Sequence, residues 1–556
     1  MPNTQVVWFK RDLRIEDHTA LSEATQRGPV LALYVIEPTL WEQLSTSTRH
    51  WQVTRTAILD LRKSIEKLGG TLCVRIAEMP QALAQLKSEL ADFSLFCHEE
   101  IGEKWSYQRD KAVSKWCRTE NIKLTELPQF GVFRGQHDRD GWAGRWQAFM
   151  RQPQRTLPGS IRWQHADDTA HWLRWEPQPS RFALSDFALP NADKTLMEFL
   201  NQRGEQYHLK MSSPLSATTA CSRLSVQLAS GRISMRRVVQ ATWQAQRDIK
   251  GLANAERGTW PKALAAFQSR LHWHCHFIQK FESEPALEQH NMARSCDGIR
   301  ENNFDEQKFQ AWCAGQTGYP FIDACMRFLI ATGWINFRMR AMLVSFAAYD
   351  LWLHWQRPAH HLAQLFIDFE PGIHYPQVQM QSGTTGINTL RIYNPIKQSM
   401  DQDPNGIFIR QWVPEVAGFD NLRIHAPWQA TAMEQVAAGC QIGEHYPKAI
   451  VDHMDAARFA KAQFASVRRS DAGKADKSDV MHRHGSRKRV CQRDLGQTPG
   501  TWNLGHRFVA WRWPGRAGAR LQRYAPRNVR RACGVAQGPE YPVAGAATPG
   551  NPTFIG

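Results

Sequence analysis

The first 130 residues alternate between two hydrophobic periods, and this alternation is the strongest constraint on the fold. Short apolar runs at 5–9, 30–36, 71–76, 93–97 and 122–127 read as strands buried on both faces. Between them, residues 17–27, 51–68, 81–90 and 103–120 place their apolar side chains at helical spacing. Strands that alternate with helices predict a parallel sheet covered on both sides, a Rossmann-like α/β domain over residues 1–130. No G-x-G-x-x-G follows the first strand, so the usual dinucleotide fingerprint is missing.

The texture then changes twice. Over residues 131–195, Pro153, Pro158, Pro177, Pro179 and Pro190 interrupt any long period, with Trp142, Trp146, Trp163, Trp172 and Trp175 among them. This stretch is expected to be an interdomain connector packed on the surface. From 196 to 469 the pattern is helical, as in the stripe Phe321, Ile322, Cys325, Met326, Leu329 and Ile330. The predicted architecture is therefore α/β followed by an all-α domain. A basic tail over 470–556, poor in periodic apolar residues, is expected to be disordered.

A net charge of +17 suggests a polyanionic partner until its location is considered. From residue 481 onward thirteen Lys and Arg face only Asp494 and Glu540, a balance of +11 that leaves +6 for the body of the chain. Nucleic-acid binding must therefore rest on a local patch. No run approaches the ~20 apolar residues of a membrane span, and a soluble, cytoplasmic, monomeric protein is expected. Eleven cysteines, none in a C-x-x-C pair, read as reduced core residues. His272 and His276 share a helical face without further ligands, so no metal is assigned there.

Two stretches carry the chemistry. Cys221-Ser222-Arg223-Leu224-Ser225 combines hydroxyls with a guanidinium, as a buried pyrophosphate requires. The run from Thr317-Gly318-Tyr319-Pro320 to Arg410-Gln411-Trp412 contains Gly333-Trp334-Ile335-Asn336-Phe337-Arg338-Met339-Arg340, Asp368-Phe369-Glu370 and Arg391-Ile392-Tyr393-Asn394-Pro395. In order and spacing these motifs resemble the FAD-binding domain of the DNA photolyase/cryptochrome family. Val7-Trp8-Phe9-Lys10-Arg11-Asp12-Leu13-Arg14 resembles that family's opening strand, and the likeness spans roughly residues 5 to 490.

The resemblance implies a site. FAD would be held by Tyr207, Cys221, Ser222, Arg223, Leu224, Ser225, Arg340, Asp368, Phe369, Glu370 and His374, with Arg340 and Asp368 as a buried ion pair against the flavin. His374 stands at the flavin N5 position, where photolyases usually carry Asn. There it would hydrogen-bond N5 or donate a proton. Lys210, Trp273, His274, Phe337, Arg338 and Arg391 would contact damaged DNA. Relative to cyclobutane-dimer photolyases, Arg270 replaces Glu, His274 replaces Arg, Phe337 replaces Asn and Ala341 replaces Met. These departures resemble a bacterial iron–sulfur sub-branch that includes (6-4) photolyases, in which a histidine of the pair His360-His361 would act as proton donor to the lesion. His361, Arg270, His374 and Trp355 are the candidate catalytic residues.

That sub-branch also implies an iron–sulfur cluster, with Cys325 and Cys440 as candidate ligands and no full set matched. A lumazine antenna would lie at Val35-Ile36-Glu37-Pro38. Of the family's three electron-conducting tryptophans, Trp355 matches the middle one and Val378 takes the flavin-proximal place, leaving Trp352 and Tyr375 as candidate substitutes. The expected function is light-driven repair of pyrimidine lesions in DNA. The rival is a blue-light receptor acting on a signalling partner.

Overall fold

The computed structural model describes residues 3–484, apart from 137–138, 179–181, 185–186 and 303. Strands β1 (Thr4–Phe9), β2 (Val30–Ile36), β3 (Leu72–Ile76), β4 (Phe93–His98) and β5 (Lys123–Leu127) form one sheet in the order β3-β2-β1-β4-β5. All pairings are parallel, with Val6 opposite both Leu31 and Leu95. Helices Thr19–Thr25, Thr48–Glu66, Met79–Leu90 and Lys104–Thr119 make the crossovers. The period of two sorts the sheet's side chains: Val7, Phe9 and Ala32 enter one core, and Val6, Trp8 and Leu31 enter the other. Each large apolar side chain buried this way contributes about 1.5–3 kcal/mol. The chain order reverses at β1, which creates a crevice outside the carboxyl ends of the strands.

The connector is more structured than its prolines suggest. Helix Trp142–Arg151 buries Trp142, Trp146, Phe149 and Met150. Further on, Trp163 bridges to Val30, whose N–H donates to Arg162 at 2.8 Å. The connector thus runs beside β2 as a short extension of the sheet.

The helical domain shares one continuous core from Trp142 to Val480. Its central helices are Trp260–Ser283, Pro320–Thr332, Phe337–Ser345, Gln356–Leu365 and Pro371–Ser382. Three of them (Trp260–Ser283, Pro320–Thr332 and Pro371–Ser382) begin with proline in the first turn, where its missing N–H costs nothing. The expectation of disorder from 470 is corrected in part: Asp471–His484 is helical and packs on His453–Arg469 and on the turn Arg294–Cys296. Residues 485–556, the rest of that tail, lie outside the described residues.

The two domains meet through cations. Arg11 donates to the Phe369 carbonyl at 2.9 Å and to the Glu370 carboxylate at 3.1 Å. Arg14 donates to Gly231 at 3.0 Å. Asp17 accepts from Ser234 at 2.6 Å and from Arg236 at 3.0 Å. The approach is close enough to need glycine: Gly231 has φ +70°, and a Cβ there would sit 2.1 Å from the Arg11 carbonyl oxygen. Arg49 is buried and donates to the carbonyls of Phe182, Leu329, Ile330 and Leu365.

Candidate functional site

The segment 221–225 leaves helix Pro214–Ala220 and turns sharply. Arg223 is a non-glycine residue at φ +60°, followed by Leu224 in the right-handed region. A left-handed residue followed by a right-handed one turns successive N–H groups toward the same side, a concavity suited to phosphate oxygens. Arg203 holds the turn from behind, donating to Cys221 and, at 2.6 Å, to the Ser222 carbonyl. Its spacing from the motif gave no signal in the sequence. The Arg223 guanidinium lies 3.8 Å over the Trp334 ring.

On the facing side Arg340 donates to Asp368 at 2.8 Å and to the Ile335 carbonyl, also at 2.8 Å, while stacking 4.1 Å over Phe366. Burial works to raise the Asp368 carboxyl, but Arg340, Ser225 and Arg223 outweigh it and hold the group below the usual carboxylate range. Its Oδ1 is buried without a hydrogen-bond partner. Asn336 Oδ1 has none either, although its amide N–H donates to Met211 and Ser212. Two unfilled acceptors, a guanidinium over an aromatic face and a phosphate-shaped turn fit a flavin dinucleotide.

His374 is buried beside Phe366 and Phe369, with ring centroids at 6.0 and 5.2 Å. Its Nε2 lies 2.9 Å from the Ala359 carbonyl and must donate to it, so Nδ1 carries no proton. Burial pushes its pKa down to about 3. At neutral pH Nδ1 of this imidazole is therefore an acceptor. Glu370, assigned to the cofactor by resemblance, instead pairs with Arg11 across the domain seam.

Of the residues assigned to DNA, Trp273 and Phe337 gather around Arg270. Arg270 lies 4.6 Å over Trp273 and 5.9 Å from Phe337, both of which are exposed. It also reaches the phenol of Tyr207, a buried ring packed on Phe199 and Phe267. The loop after exposed Lys210 is tied to Asn336, the cap of the helix carrying Phe337 and Arg338. Arg391, exposed, lies at the other end of that helix, where its carbonyl accepts from Ser345. His274 turns toward Phe130, at 5.7 Å, and burial lowers its pKa to about 4. The His361 ring packs against Phe182, Phe309 and Trp312.

Trp355 is buried, donates to Asn291 at 2.7 Å and meets Tyr375 edge-on at 6.4 Å. Trp352 packs instead with Phe459 and Phe464. Val378 is buried on the same helix as Tyr375. His272 and His276 lie against Trp142.

Among the described residues the one group of three or more ligand-type side chains is Asp12, His18 and His98, their ligand atoms all within 4.8 Å of one another. A metal does not suit it. His18 Nδ1 accepts from Leu21, so its Nε2 keeps a proton and donates to Asp12 at 2.9 Å. Cys325 and Cys440, the candidate cluster ligands, are both buried.

At the carboxyl ends of the strands a cavity of about 140 Å³ is walled by Trp8, Tyr34, Trp41 and Trp105. Glu37 lies there at 3.3 Å from Arg109, and burial raises its carboxyl to about 7. Val35 lines the same cavity.

A two-domain α/β-plus-helical chain with this cradle belongs to the FAD-binding proteins. Residues 5–134 match the DNA photolyase family and 267–466 match the FAD binding domain of DNA photolyase. The chain is 27% identical over 491 residues to a deoxyribodipyrimidine photo-lyase of Vibrio cholerae, covering 81% of this chain and 96% of that protein. It is 28% identical over 504 residues to cryptochrome-2 of Arabidopsis thaliana, covering 83% and 79%. The crystal structure of a class III photolyase from Agrobacterium tumefaciens superposes with a TM-score of 0.73 at 25% identity, over 84% of this chain and 98% of that one. The chain is a member of the DNA photolyase/cryptochrome family. No helix among the described residues is long and apolar enough to cross a membrane.

Proposed function

We propose that this protein is a light-driven DNA lyase that repairs pyrimidine lesions of the (6-4) type. The observation that carries the reading is Arg270, a cation set between exposed Trp273 and Phe337 beside the FAD cradle. FAD held by this cradle would, once reduced and excited by light, supply one electron. Placed on a flipped lesion, that electron creates negative charge, which a fixed guanidinium stabilises where the usual carboxylate would oppose it. Trp273 offers a stacking face for the extruded base, and Lys210, Arg338 and Arg391 would meet the phosphates. The cavity at the strand ends, with its aromatic walls and Glu37, would take a small antenna heterocycle of the lumazine kind.

The rival reading is a blue-light receptor without repair activity. It is favoured by loss of the dimer-contacting carboxylate at position 270 and by a likeness to plant cryptochromes as great as that to photolyases. Illuminating reduced protein with DNA carrying a defined (6-4) lesion or cyclobutane dimer, and counting restored thymines, separates the two. Repair of the (6-4) lesion that falls in Arg270→Glu, with FAD still bound, is the expected result. No repair of either lesion would establish the receptor reading. An Arg270→Glu variant that repairs better than wild type would remove Arg270 from the mechanism.

A further inference from the structure

Arg203 grips the turn at 221–225 through carbonyl oxygens. Helix Ala192–Glu198 runs on into one wide π turn, Phe199–Arg203, closed by the Gly204 N–H on the Phe199 carbonyl at 2.9 Å. A Cβ at Gly204 would lie 2.4 Å from that carbonyl oxygen, so any side chain there would push the turn open. The Arg203 guanidinium lies 5.4 Å from the Phe199 ring and donates to four carbonyls. These are Thr195 at 3.4 Å, Thr219 at 3.2 Å, Cys221, and Ser222 at 2.6 Å.

In a trans peptide the carbonyl of one residue and the N–H of the next point to opposite sides of the chain. With the Cys221 and Ser222 carbonyls held by Arg203, the N–H groups of Ser222 and Arg223 are turned away from it, to the open side of the turn. Among the described residues neither N–H has a hydrogen-bond partner. Two adjacent free donors, flanked by the Ser222 and Ser225 hydroxyls and by Arg223, complement phosphate oxygens. Holding Arg223 at φ +60° costs free energy, and the Arg203 bonds offset that cost before any cofactor arrives.

We propose that Arg203 is the positioning residue for the FAD pyrophosphate, keeping the turn 221–225 in its binding shape in the protein without cofactor. Its planar fork matters more than its charge, because a lysine ammonium is a point charge that cannot span the same carbonyls. Arg203 acts through backbone groups, and the inference holds whether the protein repairs DNA or signals.

The test uses flavin-stripped wild type, Arg203→Lys and Arg203→Met, with FAD, ADP and riboflavin as ligands. ADP carries a pyrophosphate and riboflavin carries none. FAD and ADP should bind each variant on the order of 10–100-fold more weakly, because the competent turn becomes a minor population. Riboflavin should bind all three proteins equally. In stopped-flow mixing, the observed rate should rise linearly with FAD in wild type and level off in the variants, whose turn must form first. Wild-type FAD affinity in Arg203→Lys would reduce Arg203 to a charge and overturn the proposal. So would an equal loss of riboflavin affinity, which marks general damage, or a rate that levels off in wild type. If Arg203→Met fails to fold, wild type and Arg203→Lys decide the matter by the same criteria.

Discussion

Removing the Asp368 carboxylate should leave the cradle with an uncompensated cation, and the structure sets the size of that penalty. Breaking a fully buried ion pair from one side costs about 3–5 kcal/mol. Here Asp368 is 2% exposed but Arg340 is 24% exposed, and Arg340 keeps the Ile335 carbonyl and the Phe366 face. The mutation also removes the unpartnered Asp368 Oδ1. Together these reduce the expected loss for Asp368→Ala to about 1–3 kcal/mol. Urea unfolding of flavin-stripped protein, followed by tryptophan fluorescence, measures it without the cofactor. Asp368→Ala/Arg340→Met should lose less than the sum of its two single variants, because the second change removes the stranded charge. The sign with pH is fixed: the folded carboxyl titrates below its ordinary 3.8, so its contribution is complete above about pH 4. As the pH falls through the lowered value, the gap between wild type and Asp368→Ala should close. A stripped Asp368→Ala protein that unfolds at the wild-type urea concentration would refute the pairing.

Glu370→Gln should keep its FAD, because the carboxylate serves Arg11, and should lose about 1–2 kcal/mol of stability from a charged hydrogen bond at the seam; loss of FAD with unchanged stability would return Glu370 to the cofactor. His374→Asn should make the protein less sensitive to acid. The native imidazole titrates at about 3 rather than 6.5, so its neutral burial stabilises fully above 6.5 and progressively less as pH falls toward 3. Unfolding midpoints of wild type and His374→Asn between pH 4 and 7 check this, and parallel curves would contradict it.

Much of this molecule is legible in its sequence. The strands at 5–9 and 30–36 are written in apolar runs (6–9 and 30–36), and their observed ends agree to within a residue. Ser222, Arg223, Arg340 and Asp368 come from the family resemblance, and the structure sets Arg340 and Arg223 close enough to act on the Asp368 carboxylate. What the sequence hides is direction. Glu370 sits two residues from Asp368 and reads like its partner in function, yet it faces Arg11, because Asp368 lies in a turn and the chain changes direction between the two. His361 reads as a chemical group and packs as a core ring. The Tyr375 hydroxyl donates to Glu103, 272 residues away, and no local pattern could have joined them.

Arg49 has a mechanical meaning beyond its four hydrogen bonds. It stands on a helix of the first domain and finishes the ends of two helices in the second, at Leu329 and Ile330 and at Leu365. A fragment beginning at residue 196 would leave the Ile330 and Leu365 carbonyls without the Arg49 donor, and it should fold poorly for that reason. The same rivet resists any hinge between the halves, since opening would break several buried bonds at once. A light signal that leaves this protein therefore has to pass through local rearrangement of side chains, surface loops or termini, with the two domains turning as one body.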